Sequence, residues 1–255
     1  MKKTTSYFEN LYRSYTKREL VSPDPLQFVY LFKNKKDKEI GAFLCACFAY
    51  GNVKQIIKNL TFIFEKMDFR PSTFIVNTSE KQIRKIFKGF RYRFTGEEEL
   101  INLLLALKQI IAQHETLEKC FLHNYFPQED TILPSLRLFA RQFRTCGKVD
   151  SLIPDPDKKS ALKRLNLFLR WMIRKDEVDI GLWKRISSAR LIIPLDTHMH
   201  RLALRFRLTQ RKSADIFTAL EITNSFRKHA PDDPVKYDFC LTRFGIREDM
   251  DYTDL

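Results

Sequence analysis

The segment Ile192-Ile193-Pro194-Leu195-Asp196-Thr197-His198-Met199-His200-Arg201 carries the densest chemistry in the chain. Pro194 ends the element before it, and Asp196 is placed to N-cap a helix that begins at Thr197. The spacing predicts a carboxylate at a helix N-terminus, with Arg201, Arg205 and Arg207 just behind it. Taken alone, such an Asp is a cap worth about 1 kcal/mol. Asp196, His198 and His200 do not read as a metal site. On a helix 196 and 200 share a face that 198 leaves, and no further His or Cys lies nearby in sequence. No metal is expected; His198 reads as a hydrogen-bonding residue behind Asp196, and His200 as a surface or groove residue.

Upstream, Lys159, Lys163, Asn166, Arg170 and Arg174 follow one another in helical steps. That spacing puts them on one polar stripe, opposite an apolar stripe of Leu162, Leu165, Leu169 and Met172. A stripe of this kind either lines a cleft or meets solvent. Arg91 and Arg93, beside Gly89, are candidate phosphate contacts. Trp171, Trp183, Tyr92 and Phe90 have the flat faces to stack on a base, although for Trp171 the helical spacing favours the core.

The formal net charge is +14, and it is uneven. Residues 158–212 hold fifteen Lys or Arg against four Asp or Glu, a net +11. A focused excess of this size points to a polyanionic partner, nucleic acid before membrane. Only 7 Gly occur among 255 residues, and neither a G-x-G-x-x-G nor a G-x-x-x-x-G-K-[ST] loop is present. Dinucleotide-binding and P-loop chemistry are thereby excluded. The 5 Cys are scattered without a C-x-x-C pair, so neither a disulfide framework nor a zinc or iron–sulfur site is signalled. The longest apolar run, Ile40 to Tyr50, is far shorter than the ~20 residues of a bilayer span. The N-terminal MKKTTSYFENLYRSY has no apolar core of a secretory signal. A reduced, cytoplasmic protein without cofactor is expected.

The elements that must position these groups are helical. Asp24-Pro25 reads as a cap followed by Pro at the first helical position. Ser79 to Gln82 and Thr95 to Glu98 both fit the capping box. Asp233-Pro234 predicts another helix start, and Gly245 its end. Residues 190–193 read as extended chain, and the Pro- and Asp-rich stretch 146–159 as a crossing between layers. The expected fold is all-α and two-lobed: a central lobe of residues 37–190, a lobe of residues 1–36 plus 191–255, and a cleft between them.

With this context, Ile193-Pro194-Leu195-Asp196-Thr197-His198 followed by a basic amphipathic helix resembles the aspartate motif of the helix–hairpin–helix DNA glycosylases, the endonuclease III and 8-oxoguanine glycosylase superfamily. Residues 39–50 are similar to the early buried helix of that family, Gly89 to Arg93 to its Gly-[Phe/Leu]-Tyr-x-x-Lys turn, and residues 236–245 to its closing helix. The likeness runs over about residues 37 to 246, with the Asp196 motif its specific part. The chain as a whole resembles a bacterial family of hypothetical proteins with a domain of unknown function, distantly placed in that superfamily. Two features depart from the pattern. The Gly-rich hairpin that normally precedes the Asp is missing, and so are the C-terminal cysteine ligands of endonuclease III. The expected helix–hairpin–helix is thus degenerate or absent.

The resemblance implies a DNA base-excision glycosylase, possessing or lacking AP-lyase activity, that acts on a damaged base flipped out of double-stranded DNA. It implies that Asp196 is catalytic and stabilises a cationic sugar. For the attacking amine, the family's usual position falls in the window 176–178, which reads Asp-Glu-Val, with Lys175 at its edge. The archaeal 8-oxoguanine glycosylases carry theirs farther upstream on a helix, which corresponds best to Lys163. Lys163 is therefore the expected catalytic amine and Lys175 the reserve. An attacking amine must be neutral, and Arg164 and Arg170 are the cationic neighbours expected to favour that form. Lys159, Asn166, Arg170, Arg174, Arg201, Arg205, Arg91 and Arg93 are the expected DNA contacts, on a monomer that sits on the nucleoid when bound. The alternative is a non-catalytic nucleic-acid-binding protein on the same scaffold.

Overall fold

The computed structural model describes residues 3–247, 249–251 and 255. Its α-helices are α1 (Thr5–Tyr15), α2 (Lys35–Cys47), α3 (Val53–Lys66), α4 (Pro71–Asn77), α5 (Glu80–Ile86), α6 (Glu97–His114), α7 (Leu117–His123), α8 (Leu133–Gln142), α9 (Lys163–Ile173), α10 (Thr197–Arg205), α11 (Ile216–Arg227) and α12 (Asp238–Ile246). Among the described residues the sole sheet is a hairpin of two short antiparallel strands, β1 (Arg91–Tyr92) and β2 (Thr95–Gly96). The fold is all-α. No described helix is long and apolar enough to cross a membrane.

Local caps set several of these boundaries. Asp24 accepts the Leu26 N–H, with Pro25 next to it, and opens a 3₁₀ helix over Pro25–Leu31. Ser79 and Gln82 form the complete capping box at α5. Two expected starts are not used. Thr95 spends its hydroxyl on Tyr50 and Ser151, each at 2.6 Å, so α6 starts at Glu97 behind Gly96, without a side-chain cap. Asp233 is bound by Arg174, and residues 234–237 form turns before α12 starts at Asp238. Gly245 lies in the last turn of α12 rather than beyond it.

The chain divides into two compact units whose bounds differ from those of the expected lobes. The first comprises Met1–Pro23, Asp130–Ile132 and Lys159–Leu255, the second Asp24–Glu129 and Leu133–Lys158. Residues 24–36 join the second unit because their 3₁₀ helix packs on α2. Residues 159–190 join the first because Arg170 and Arg174 of this stretch are ion-paired with Asp238 and Asp233.

In the second unit α2 is buried almost all round from Glu39 to Cys47, as its unbroken apolar run requires. Phe43 stacks on Phe143 with ring centroids 4.4 Å apart. Buried Glu39 offers its carboxylate to the Leu117 and Glu118 N–H groups at the start of α7, where the helix dipole favours a negative charge. In the first unit Phe8 of α1 packs among Phe206, Phe226 and Tyr237. In the same unit α9 is buried at every position from Leu165 to Ile173.

Candidate functional site

Asp196 caps α10 as its spacing predicts. Its Oδ1 accepts the Met199 N–H at 2.8 Å, while its Oδ2 stands 4.0 Å from the Nζ of Lys163. One oxygen therefore anchors the helix and the other faces an amine. The two side chains are 19% and 28% exposed, so both are screened from bulk water and both are reachable. Lys163 is the first residue of α9. Leu162 before it has φ +49°, a left-handed conformation that a Leu adopts only at some cost. That turn swings the start of α9 so that Lys163 meets the start of α10.

Behind this pair lies a buried ionic network. Arg170 bonds to Asp179 at 3.2 Å and to Asp238. Arg174 holds both oxygens of Asp233 at 2.9 Å, pairs with Asp176 at 3.0 Å and also bonds to Asp179. Tyr12 of α1 closes the set by donating to Asp176 at 3.0 Å. Burial pushes the Asp238 carboxyl up to about 6, with the charges of Asp196 and Asp179 adding to the rise and Arg170 opposing it. Burial raises Asp179 and Asp233 as well, against the pull of their arginines. Asp176 is also desolvated, but Arg174 and the N–H groups of Val178 and Asp179 outweigh that and lower it.

This network changes the reading of the polar stripe on α9. Asn166, Arg170 and Arg174 are 1%, 3% and 4% exposed, so they face the core of their unit and cannot lie against an external phosphate. Arg170 is likewise neutralised by two carboxylates, which removes it as the cation expected to act on Lys163. Lys159, at the head of the stripe, is exposed. Arg201 and Arg205 project from α10 into solvent, in the same unit as Asp196. His198 is partly exposed, and His200 uses its Nε2 on the Arg211 carbonyl at 2.8 Å. Lys175, the reserve amine, is exposed beyond the end of α9.

In the second unit Arg91 and Arg93 are exposed on the hairpin, and Phe94 between the strands is 79% exposed. Gly51, at φ +90°, leaves room for the Arg93 side chain where a Cβ would stand 2.5 Å from Nη1. Phe90, Tyr92, Trp171 and Trp183 are all buried and belong to the cores.

Sequence reasoning missed the acidic half of the network: Asp176, Asp179, Asp233 and Asp238. Asp238 is flanked by the apolar Tyr237, Phe239, Cys240 and Leu241, and a lone carboxylate in such a run was the available signal of a buried acid.

Fold and site together define an all-α protein with a half-screened lysine–aspartate pair held between two helix N-termini. The chain belongs to the family described as Protein of unknown function (DUF2400), whose model it matches over residues 24–247. No curated protein and no solved structure matches it.

Proposed function

We propose that the protein is a DNA base-excision glycosylase with AP-lyase activity. The observation that supports this reading is the 4.0 Å approach of Lys163 Nζ to Asp196 Oδ2, the amine and carboxylate that the resemblance to the glycosylases assigns to catalysis. The two lie 33 positions apart in sequence. Their approach in a partly exposed site is what the catalytic reading requires.

In the proposed reaction a damaged base is flipped out of double-stranded DNA, at the cost of unstacking. Lys163 gives up its ammonium proton to solvent, and the free amine forms a bond from Nζ to the sugar C1′. The C1′–N bond to the base breaks, and the base leaves with the bonding electron pair and takes up a proton. Asp196 faces the positive charge that develops on the sugar, as carboxylates do in glycoside hydrolysis. Opening of the sugar ring gives an imine, and loss of a C2′ proton then expels the 3′ phosphate by β-elimination. Exposed Lys159, Arg201 and Arg205, in the unit that carries the pair, are its proposed phosphate contacts, and exposed Arg91 and Arg93 are proposed phosphate contacts of the second unit.

Borohydride trapping on a duplex with an abasic site tests this directly. Wild type should form a covalent adduct, Lys163→Ala should form none, and Asp196→Asn should lose at least about a hundredfold in rate. An adduct that survives Lys163→Ala moves the amine to another lysine, Lys175 first. The second reading, a non-catalytic nucleic-acid-binding protein, draws on one feature: residues 174–196 contain no helical hairpin, only a short 3₁₀ turn over Ser188–Arg190. It predicts salt-sensitive DNA binding with no adduct and no base release.

A further inference from the structure

Asp238, the first residue of α12, is 2% exposed. Its Oδ2 accepts from Arg170, while its Oδ1 meets no donor. The Oδ1 of Asn166 is also buried and also meets no donor. Both groups sit beside Arg170, Asn166 one helical turn away on the same face of α9 and Asp238 through its ion pair. The Asp238 carboxyl thus has a guanidinium to pair with its ionised form and one buried oxygen that no donor holds in that form. Meanwhile α10 packs on α12 and brings Asp196 close enough for its charge to act on Asp238.

We infer that Asp238 is a positioning residue of the Lys163–Asp196 site, a second carboxylate whose gain or loss of a proton sets the negative charge standing behind the lysine and its reacting sugar. The inference rests on the amine chemistry proposed above. The charged and titratable groups around Asp238 are Arg170 on α9, Asp179 after it, Asp196 at the start of α10, and Cys240 and Arg243 on its own helix. From α1, which also packs on α12, Tyr12 reaches the network through Asp176, and Glu9 binds Lys236 and Tyr237. With a midpoint of about 6, Asp238 changes charge within the working range of a cytoplasmic enzyme. Its ionisation adds a second negative charge near the developing sugar cation, so the rate should rise as pH increases through that midpoint.

The experiment pairs a readout that needs no activity with one that does. Carboxyl carbon NMR of the full chain labelled at Asp should show one aspartate titrating near pH 6 that disappears in Asp238→Asn. In Asp196→Asn, which keeps the fold and removes the neighbouring charge, the same resonance should move down by about half a pH unit or more. Absence of such a resonance, or one that Asp196→Asn leaves in place, overturns the inference even if Asp238→Asn fails to fold. Loss of the lysine proton raises trapping with pH in both proteins, so the signal is the ratio: wild type over Asp238→Asn should grow about tenfold from pH 5 to pH 7. Identical pH profiles in the two proteins would sink the positioning role and leave the lyase chemistry standing. A wild type that traps nothing at any pH overturns the lyase reading, and the coupling of Asp238 to Asp196 is then decided by the NMR titration.

Discussion

Asp196 gives each of its oxygens a different task, and the two can be separated by substitution. Asn retains an acceptor for the Met199 N–H, whereas Ala does not. Urea denaturation should therefore find Asp196→Asn within a few tenths of a kcal/mol of wild type and Asp196→Ala about 1 kcal/mol less stable. Both should lose trapping activity, because neither carries the charge that faces Lys163. If Asp196→Asn proved as unstable as Asp196→Ala, the cap would not be what the second oxygen leaves free. Asp238 makes the complementary point, since its carboxyl contributes chiefly through its proton. Its value in the folded chain is raised from 3.8 to about 6, so the folded state holds the proton more tightly than the unfolded one. The stability this supplies is complete below about pH 4 and is lost as pH rises through 6, a change on the order of 3 kcal/mol. Asp215 has the opposite sign: despite its desolvation, bonds from the Thr218 N–H, Ser213 and Arg211 hold it down at about 2, and its contribution is lost as pH falls toward that value. Denaturation midpoints of wild type against Asp238→Asn, taken from pH 4 to pH 7, should converge in slope only above about pH 7. Parallel curves over the whole range would mean that Asp238 is already ionised at pH 4.

At the scale of elements, α9 departs furthest from its appearance in the sequence. Its spacing sets out a polar face and an apolar face, and both turn out to be inside. Arg174 is buried among Asp176, Asp179 and Asp233, so Arg174→Met leaves Asp176 and Asp233 without their main countercharge and Asp179 with Arg170 alone. Removing one partner from a buried ionic set typically costs about 3–5 kcal/mol, and the denaturation midpoint of Arg174→Met should fall accordingly. A loss below about 1 kcal/mol would place the guanidinium in water instead. What could be read from the sequence divides along the same line. Helical periodicity identifies which residues share a face, and caps such as Ser79 and Asp196 bond within one turn, so their spacing alone is sufficient. Thr95 and Asp233 have the same local grammar, but distant groups claim them: Ser151 and Tyr50 for the first, Arg174 for the second. The lysine–aspartate pair was found through the resemblance that placed an amine upstream of the Asp, not through periodicity. The stripe was misjudged because periodicity says nothing about what lies opposite, and Asp233 and Asp238 come from 59 and 68 positions away. The ion pairs of α9 also decide to which compact unit it belongs, and they too come from distant positions.

For the molecule as a whole, the net charge of +14 matters through where it is exposed. Arg170 and Arg174 are cancelled internally and add nothing to an external field. Among the cations named as DNA contacts, the exposed ones are Lys159, Arg201 and Arg205 in the first unit and Arg91 and Arg93 in the second. Each phosphate neutralised releases condensed counterions, so the logarithm of the binding constant falls with the logarithm of salt at about −0.9 per contact. Five contacts give a slope of about −4 to −5 on duplex DNA. Arg201→Ala combined with Arg205→Ala should reduce that slope by about 2, and Arg91→Ala combined with Arg93→Ala by a similar amount. Loss from one pair and not the other would assign the phosphate grip to a single unit. The Asp238→Asn protein supplies the control: a change of charge in the core should leave the slope within error while it alters the pH profile of trapping. If instead the slope stays at its wild-type value in both double variants, the exposed arginines of this set do not hold DNA. The excess charge of residues 158–212 would then act through Lys184, Lys212 and the cations around them.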